Sequence, residues 1–344
     1  MQPVFFTPVK EGEPTESVQA KVASLYDAAG FDQFVQPDEL VAIKTHFGED
    51  GNHNFISPAL QLPLVERVKR RGARPFWTDT STLYLGRRSN AVDHIVLAGE
   101  HGFSFEATGA PVVIADGISG RDEVEVNVGG RHSTKVGIAA AVAAANSLLV
   151  VSHATGHLAC GYGGTIKNLG MGLSSRKGKL YQHSVVKPRV DPKRCRGDGM
   201  CLKWCPEDAI SMVDGKARIR EEDCVGCGEC LAACRPGAVQ FQWRIESLML
   251  QERMAEQACG VVKNKQGKVG FVNFILNVGR DCDCLPSKKG DVLIRALGIL
   301  ASRDAVAIER ATLQLIEDRL DGGLRRQAYD IDYTPKLAYA EELG

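Results

Sequence analysis

Between Cys195 and Cys234 the chain carries two cysteine combs that repeat one motif with a single letter changed. The second comb is Cys224, Cys227, Cys230 and Cys234, spaced C-x2-C-x2-C-x3-C. Moving back 29 residues lands on Cys195, Asp198, Cys201 and Cys205, so three thiols are kept and one position has become a carboxylate. Spacings this short confine the stretch to tight turns, and soft anionic ligands on tight turns suit the iron of a cubane cluster. A zinc ribbon is the competing reading of paired cysteines, but it needs two CxxC pairs separated by a longer loop, which a triple comb does not supply.

Pro206 follows the first comb directly, as in bacterial ferredoxins, whereas Arg235 separates the second comb from Pro236. In two-cluster ferredoxins the fourth cysteine of each comb serves the other cluster. Applied here, one cluster takes Cys195, Asp198, Cys201 and Cys234, and the other takes Cys224, Cys227, Cys230 and Cys205. Both are expected as 4Fe–4S centres. A carboxylate is a harder and weaker ligand for cluster iron than a thiolate, so the Asp198 corner is expected to exchange or lose iron, giving a 3Fe–4S form in air. The alternative is that Asp198 only solvates its loop, with water or hydroxide at that corner.

At 344 residues the chain has room for two domains or one large domain with an insertion. Its formal net charge of +0 argues against a nucleic-acid or membrane-surface role carried by bulk electrostatics. The longest apolar stretch, Val136 to Val151, is too short to span a bilayer. Lys10, Glu11 and Glu13 interrupt the start of the chain before any signal-peptide core forms. Seven of the eleven cysteines belong to the combs, so oxygen-sensitive iron rather than disulfides accounts for them, and the expected compartment is the cytoplasm.

Around the combs, strand and helix signals alternate. Strands are expected at Val41–Lys44, Pro75–Asp79, Val112–Ala115, Val124–Val128, Leu148–Val151 and Val269–Asn277. Helices are expected at Pro63–Arg71, Asn90–His101, Gly137–Ala145 and Ala305–Leu320, with Val292–Leu300 open between strand and short helix. Alternation of this kind implies an α/β fold, a mainly parallel sheet covered on both faces and formed by both ends of the chain. The domain boundaries read as 1–186 and 246–344 for the α/β domain and 187–245 for an inserted ferredoxin-like α+β two-cluster domain. The flanks 186–190 and 241–243 read as linkers or edge strands, and the tail from Asp321 as a surface segment.

Ligands of open α/β sheets collect beyond the carboxyl ends of the strands. After Leu148–Val151 comes the densest chemistry outside the combs: His153, His157, Cys160, three glycines (Gly161, Gly163, Gly164), Lys167 and Asn168, with His183 closing the segment. The glycines let the backbone turn N–H groups toward an anion, and the helix start that follows would favour the same charge. Lys167 supplies a point charge or an amine nucleophile. Lys44, His46 and Glu49 follow one strand, and Asp79, Thr82, Tyr84 and Arg87 follow another, as further candidates for the same mouth. Cys282 and Cys284 follow a third, where two thiols could hold an extra metal or be redox-active. Cys259 reads as an ordinary cysteine in a helix-to-strand connection.

The runs Ile43–Glu49, Thr82–Arg87, His153–His157, Gly163–Gly172 and Cys282-Asp-Cys284 together resemble the domain of unknown function 362 family, in particular its iron–sulfur members with an inserted double ferredoxin module. That resemblance implies architecture and redox character rather than a substrate. A more distant likeness, to lactate racemase proteins, lies in the spacing of His157, Lys167 and His183 around Gly-Tyr-x-Gly-Gly-x-Lys. In that family the lysine joins a nickel-pincer nucleotide and a histidine ligates nickel, which implies a nucleotide-like pocket here.

The function expected is an iron–sulfur oxidoreductase. Its partner would be an electron donor or acceptor protein such as a ferredoxin or flavoprotein, and its pocket would take a small anionic substrate or cofactor. In this reading His153, His157, Lys167 and His183 are catalytic, while Lys44, His46, Gly161, Gly163, Gly164 and Asn168 bind the cofactor. The alternatives are a ferredoxin-like carrier or docking subunit, and a racemase- or isomerase-like enzyme with a nickel-pincer-type cofactor.

Overall fold

The computed structural model describes residues 2–183, 187–241, 246–286 and 291–344. Seven strands build the central sheet: β1 (Val4–Pro8), β2 (Leu40–Lys44), β3 (Arg74–Asp79), β4 (Val112–Ile114), β5 (Ser147–His153), β6 (Val269–Gly279) and β7 (Val292–Ser302). Their order across the sheet is β1-β7-β6-β5-β2-β3-β4. From β6 to β4 all neighbours are parallel, whereas β7 runs against both β6 and β1. The sheet is therefore mainly parallel and uses both ends of the chain.

The principal helices are α1 (Thr15–Ala28), α2 (Pro58–Arg70), α3 (Ala91–Glu100), α4 (Thr165–Gly170), α5 (Arg176–His183), α6 (Ser247–Lys265), α7 (Ala305–Arg319) and α8 (Thr334–Glu342). Alternate strand residues feed two cores, because successive side chains leave a strand on opposite faces. Val41, Ile43, Leu149, Val151, Val272 and Phe274 pack with Val18, Val22, Leu64 and Val68 of α1 and α2. Ala42, Leu148, Val150, Phe271 and Ile275 pack with Leu250, Met254, Val261, Ile308 and Ile316 of α6 and α7. Burial on both faces explains why these strands read as continuous apolar runs.

Several expectations need correction. The helix expected from Pro63 begins a turn and a half earlier, at Pro58, where the Ser57 hydroxyl accepts the Ala59 N–H at 3.3 Å. Pro63 thus lies inside the helix and leaves the Ala59 carbonyl without its usual N–H donor. Gln19 of α1 replaces it, its side-chain amide donating to that carbonyl at 2.7 Å. Residues 137–145 are half strand: Lys135–Ala139 pairs with Glu123–Asn127, and only Ala140–Ala144 is helical. Val292–Ser302 is wholly strand. Cys259 lies within α6, not in a connection after it. The tail is no loose surface segment, since Leu324, Lys336, Leu337 and Tyr339 are buried. Among the described residues no helix is long and apolar enough to cross a membrane.

Residues 187–241 make their own short strands, Arg189–Val190 with Val239–Gln240 and Ile210–Val213 with Lys216–Ile219. Of the two expected flanks, 186 and 242–243 lie outside the described residues. The repeat of the combs is also a repeat of backbone. Gly197 and Gly199 have φ of 72° and 69°, and their counterparts Gly226 and Gly228 have 70° and 77°. L-residues with a Cβ avoid that left-handed region, so each comb turns on a pair of glycines that lead into a short helix, Met200–Lys203 or Glu229–Ala233.

Candidate functional site

The parallel strands β2, β3, β5 and β6 end on one side of the sheet, and a cavity of about 430 Å³ opens there. It sits where β5 and β2 lead to opposite halves of the sheet, the position at which open α/β sheets bind ligands. Lys44, His46, Asp79, Thr82, Tyr84, His153, His157, Gly163, Gly164, Lys167, Asn168, His183, Cys282 and Cys284 all line it. Segments more than two hundred residues apart thus meet at one mouth.

Lys44 is buried, 3.1 Å from Asp79 Oδ1, and donates to Asn168 Oδ1 at 2.7 Å. Burial lowers the Lys44 pKa, while for Asp79 burial is more than offset by Lys44 and the neighbouring cations, so its carboxyl is held below the usual range. Asn168 also donates to the Val151 carbonyl at 2.8 Å, tying α4 to the end of β5. His157 Nδ1 accepts the backbone N–H groups of Ala159 at 3.1 Å and Cys160 at 3.2 Å, which puts its ring proton on Nε2. Burial first and Lys167 second depress its pKa well below the ordinary histidine value. The same causes bring His183 down to about 4. Both rings are therefore neutral near pH 7. Burial opposes the charge on Lys167, but Cys282 and then Cys284 outweigh it and keep the amine protonated.

His153 has a different post. Its Nδ1 is 2.8 Å from Asp283 Oδ2 and its Nε2 is 2.6 Å from the Leu276 carbonyl, so both ring nitrogens are engaged by the protein. Burial would lower its pKa, yet Asp283 raises it above the ordinary value. It holds the Cys282–Cys284 loop in place.

Three expected features fall outside the cavity or are already used. Arg87 turns to the surface and pairs with Glu100, whereas its neighbour Arg88 is buried in the cavity wall, donating to Glu49 Oε2 at 3.1 Å and to the Tyr84 hydroxyl at 2.6 Å. The start of α4 is no vacant anion seat: the Thr165 N–H donates to the buried Glu309 carboxylate at 2.6 Å. Gly161 turns toward the tail, where a Cβ would lie 2.8 Å from the Ile331 carbonyl. Gly163 serves Lys167 directly, since a Cβ there would come within 3.1 Å of the lysine Cδ.

Sequence reasoning missed Arg88, His94, Lys179 and Leu83. Lys179 is buried beside Thr80 Oγ1 at 2.6 Å and Ser174 O at 2.7 Å. His94 is fully buried 3.9 Å from Asp79 Oδ2, and burial brings its pKa to about 3. A helical amphipathic pattern around residue 94 carries no signal for either neighbour.

The comb segment holds two smaller cavities. One is lined by Cys195, Asp198, Cys201 and Cys234, the other by Cys205, Cys224, Cys227 and Cys230. Backbone N–H groups donate to the sulfurs: Ala217 to Cys195 at 3.4 Å, Ala209 to Cys205 at 3.3 Å, and Ala238 and Val239 to Cys234 at 3.1 and 3.3 Å. The Asp198 carboxylate accepts the Met200 N–H at 3.1 Å. Among the described residues no three His, Cys, Asp or Glu side chains converge tightly enough to hold a single metal ion.

The second comb abuts the large cavity. A Cβ on Gly228 would lie 3.1 Å from Leu83 Cδ2 and 3.2 Å from Arg176 Cγ, and Leu83 lines the cavity. Glu229 follows, fully buried, with its carboxylate 3.2 Å from the fully buried Arg176 and 3.3 Å from Arg121. Arg176 also donates to the Thr82 carbonyl at 3.2 Å and to that of Ser89.

Three curated relatives match this chain over short stretches. The chain is 32% identical over 80 residues to pyruvate synthase subunit PorD of Methanothermobacter marburgensis, covering 23% of this chain and 91% of that one. It is 34% identical over 62 residues to the putative oxidoreductase AegA of Escherichia coli, covering 18% of this chain but only 9% of AegA. It is 40% identical over 45 residues to an uncharacterized ferredoxin of Methanocaldococcus jannaschii, covering 13% and 30%. These short matches support a ferredoxin module in the chain. Among solved structures, the lactate racemase apoprotein of Thermoanaerobacterium thermosaccharolyticum is similar with a TM-score of 0.44 at 10% identity, covering 90% of this chain and 56% of that one. A family model described as a domain of unknown function (DUF362) matches residues 41–314, and with most of its length inside that match the chain belongs to the DUF362 family.

Proposed function

We propose that the protein is an iron–sulfur oxidoreductase that exchanges electrons with a redox partner protein and acts on an anionic substrate or cofactor in the large cavity. In this reading residues 187–245 are an inserted ferredoxin-like domain. Cys195, Asp198, Cys201 and Cys234 hold one cluster, and Cys205, Cys224, Cys227 and Cys230 hold the other. The donor sets fit: each rings its own cavity, and the N–H groups aimed at Cys195, Cys205 and Cys234 suit sulfurs that carry negative charge. A cubane presents its irons at separate corners, so its ligands surround it instead of meeting at a point. Bound clusters supply one-electron transfer.

The observation that carries the reading is the contact of Gly228 with Leu83, which seats the second comb on the wall of the cavity. The protein's own residues do the rest. Lys167, held by Cys282 rather than by a carboxylate, offers its charge to an anion. Neutral His157, with its proton on Nε2, is suited to donate a hydrogen bond to the bound anion, and neutral His183 to accept a proton. The short kinship with PorD, AegA and a ferredoxin supports the electron-transfer part. Anaerobic purification followed by iron and acid-labile sulfide analysis is the test, with EPR spectra before and after reduction. About eight irons and two cluster signals are expected, with both retained in Lys167→Ala while turnover is lost. Zinc without sulfide would overturn the cluster reading, and undiminished turnover in Lys167→Ala would overturn the role of the lysine.

A further inference from the structure

Cys282 and Cys284 are the nucleophilic groups of the cavity for which anion binding has no use. They occupy the first and third positions of a turn closed by the Leu285 N–H donating to the Cys282 carbonyl at 3.1 Å. Both residues line the cavity. Lys167 lines the same cavity, and His46 Nε2 is 3.5 Å from the Cys284 sulfur. The turn is pinned from three sides. Asp283 is held by His153 at 2.8 Å, Tyr84 donates to the Cys284 carbonyl at 3.4 Å, and Asn52 donates to the Leu285 carbonyl at 2.7 Å.

A metal would need further ligands, and among the described residues no third His, Cys, Asp or Glu joins the pair closely enough to hold one. Two adjacent thiols presented to a ligand cavity beside a cation and an imidazole are instead equipped for thiol–disulfide exchange, in which one sulfur attacks as thiolate and the other resolves. The pair is also asymmetric: the hydrogen bond from Cys282 holds the Cys284 thiol well below its ordinary value.

We propose that Cys282 and Cys284 form a dithiol–disulfide couple that reduces a small disulfide carrying an anionic group, bound in the large cavity. The Cys284 thiolate attacks one sulfur of the substrate, forming a mixed disulfide and expelling the other half as a thiolate that takes up a proton. Cys282 loses its proton and attacks the Cys284 sulfur, closing the Cys282–Cys284 bond and releasing the second half as a thiol. The substrate disulfide gains two electrons and two protons, and the protein dithiol loses them. Regeneration consumes two electrons and two protons, the electrons coming from the one-electron redox partner of the proposed function. The lining fits such a ligand, with Lys167 for its charge and Ile56, Leu158 and Leu285 for its apolar remainder.

The inference rests on the oxidoreductase reading for its electron supply, but its chemistry can be tested with no donor present. Holoprotein is incubated anaerobically with oxidised glutathione, alkylated, digested and mapped by mass spectrometry. In the wild type, a Cys282–Cys284 linkage is expected with two thiols of glutathione released per chain. Cys282→Ser should stop at glutathione bound to Cys284 with one thiol released, and Cys284→Ser should release none from this turn. Near-UV circular dichroism reports whether each variant has folded, and the wild-type result stands without them. Recovery of both cysteines alkylated after excess oxidised glutathione overturns the proposal, as does equal capture at Cys282 in Cys284→Ser. Either failure with iron and sulfide intact removes the dithiol couple and leaves the iron–sulfur reading in place.

Discussion

Glu229→Gln removes one charge from the seam between the second comb and the cavity wall while keeping the side chain's shape. Glu229 and Arg176 are both fully buried and 3.2 Å apart. Breaking a buried pair by neutralising one partner costs about 3–5 kcal/mol, because the remaining charge is left uncompensated. Here Arg176 would keep the Thr82 and Ser89 carbonyls as acceptors and the nearby Asp116 carboxylate. That places the cost at the lower end, about 3 kcal/mol, which at 1.4 kcal/mol per tenfold is a roughly 100-fold change in an opening equilibrium. Native-state hydrogen exchange reads it locally. Amides of 228–233 and of 82–89 should lose protection together by about that factor, while those of β2 and β5 keep theirs. A double variant, Arg176→Met with Glu229→Leu, should recover most of the loss, since apolar residues of similar volume often replace a buried pair without penalty. Unchanged protection in Glu229→Gln, or a double variant no better than the single one, would refute the idea that this ion pair holds the seam.

Two further outcomes are expected. Burial lowers the Lys179 pKa from 10.5 to about 8, so the folded protein sheds this proton at a pH where the unfolded chain still holds it. Raising the pH from 8 to 10.5 therefore adds stability, on the order of 3 kcal/mol, and urea midpoints of Lys179→Met should lack that rise; parallel pH profiles for the two proteins would count against it. Asp198→Cys gives the first comb four thiols, and air-exposed protein should then keep its iron and lack the 3Fe–4S EPR signal expected of the parent. An identical signal in both would mean that residue 198 does not ligate iron.

Much of the sheet was legible because β2, β3, β5 and β6 are buried on both faces and read as short apolar runs. The cavity residues Lys44, His153 and Cys282 were legible for a related reason, since each stands at or just past the end of such a run, and Lys167 through the glycine turn that precedes it. What stayed hidden depends on partners distant in sequence. Arg87 and Arg88 are indistinguishable as letters, and only Glu49, delivered by another loop, and Tyr84 of their own loop decide which one turns inward. The anion at the start of α4 is Glu309, supplied by α7 some 140 residues later, so a glycine turn before a helix gave no hint that the seat was taken. Residues 137–145 are rich in alanine and favour helix locally, but pairing of Lys135–Ala139 with Glu123–Asn127 overrides that preference. Pro63 looks like a helix start because the carbonyl it orphans is repaired by Gln19, a residue in another helix.

The strand order also sets a timetable for synthesis. β1 pairs along its whole length with β7, Val4 opposite Ser302, so this strand has no partner until the stretch up to Ser302 has emerged. At about 5–20 residues per second the wait is roughly 15–60 s. The stretch carrying the combs leaves the ribosome within that interval, and its boundaries already lie side by side through Val190 and Val239. It can thus close on itself while the sheet that will carry it is still open. In the proposed reading, iron could then enter before the host fold is complete, so the two steps are separable in time.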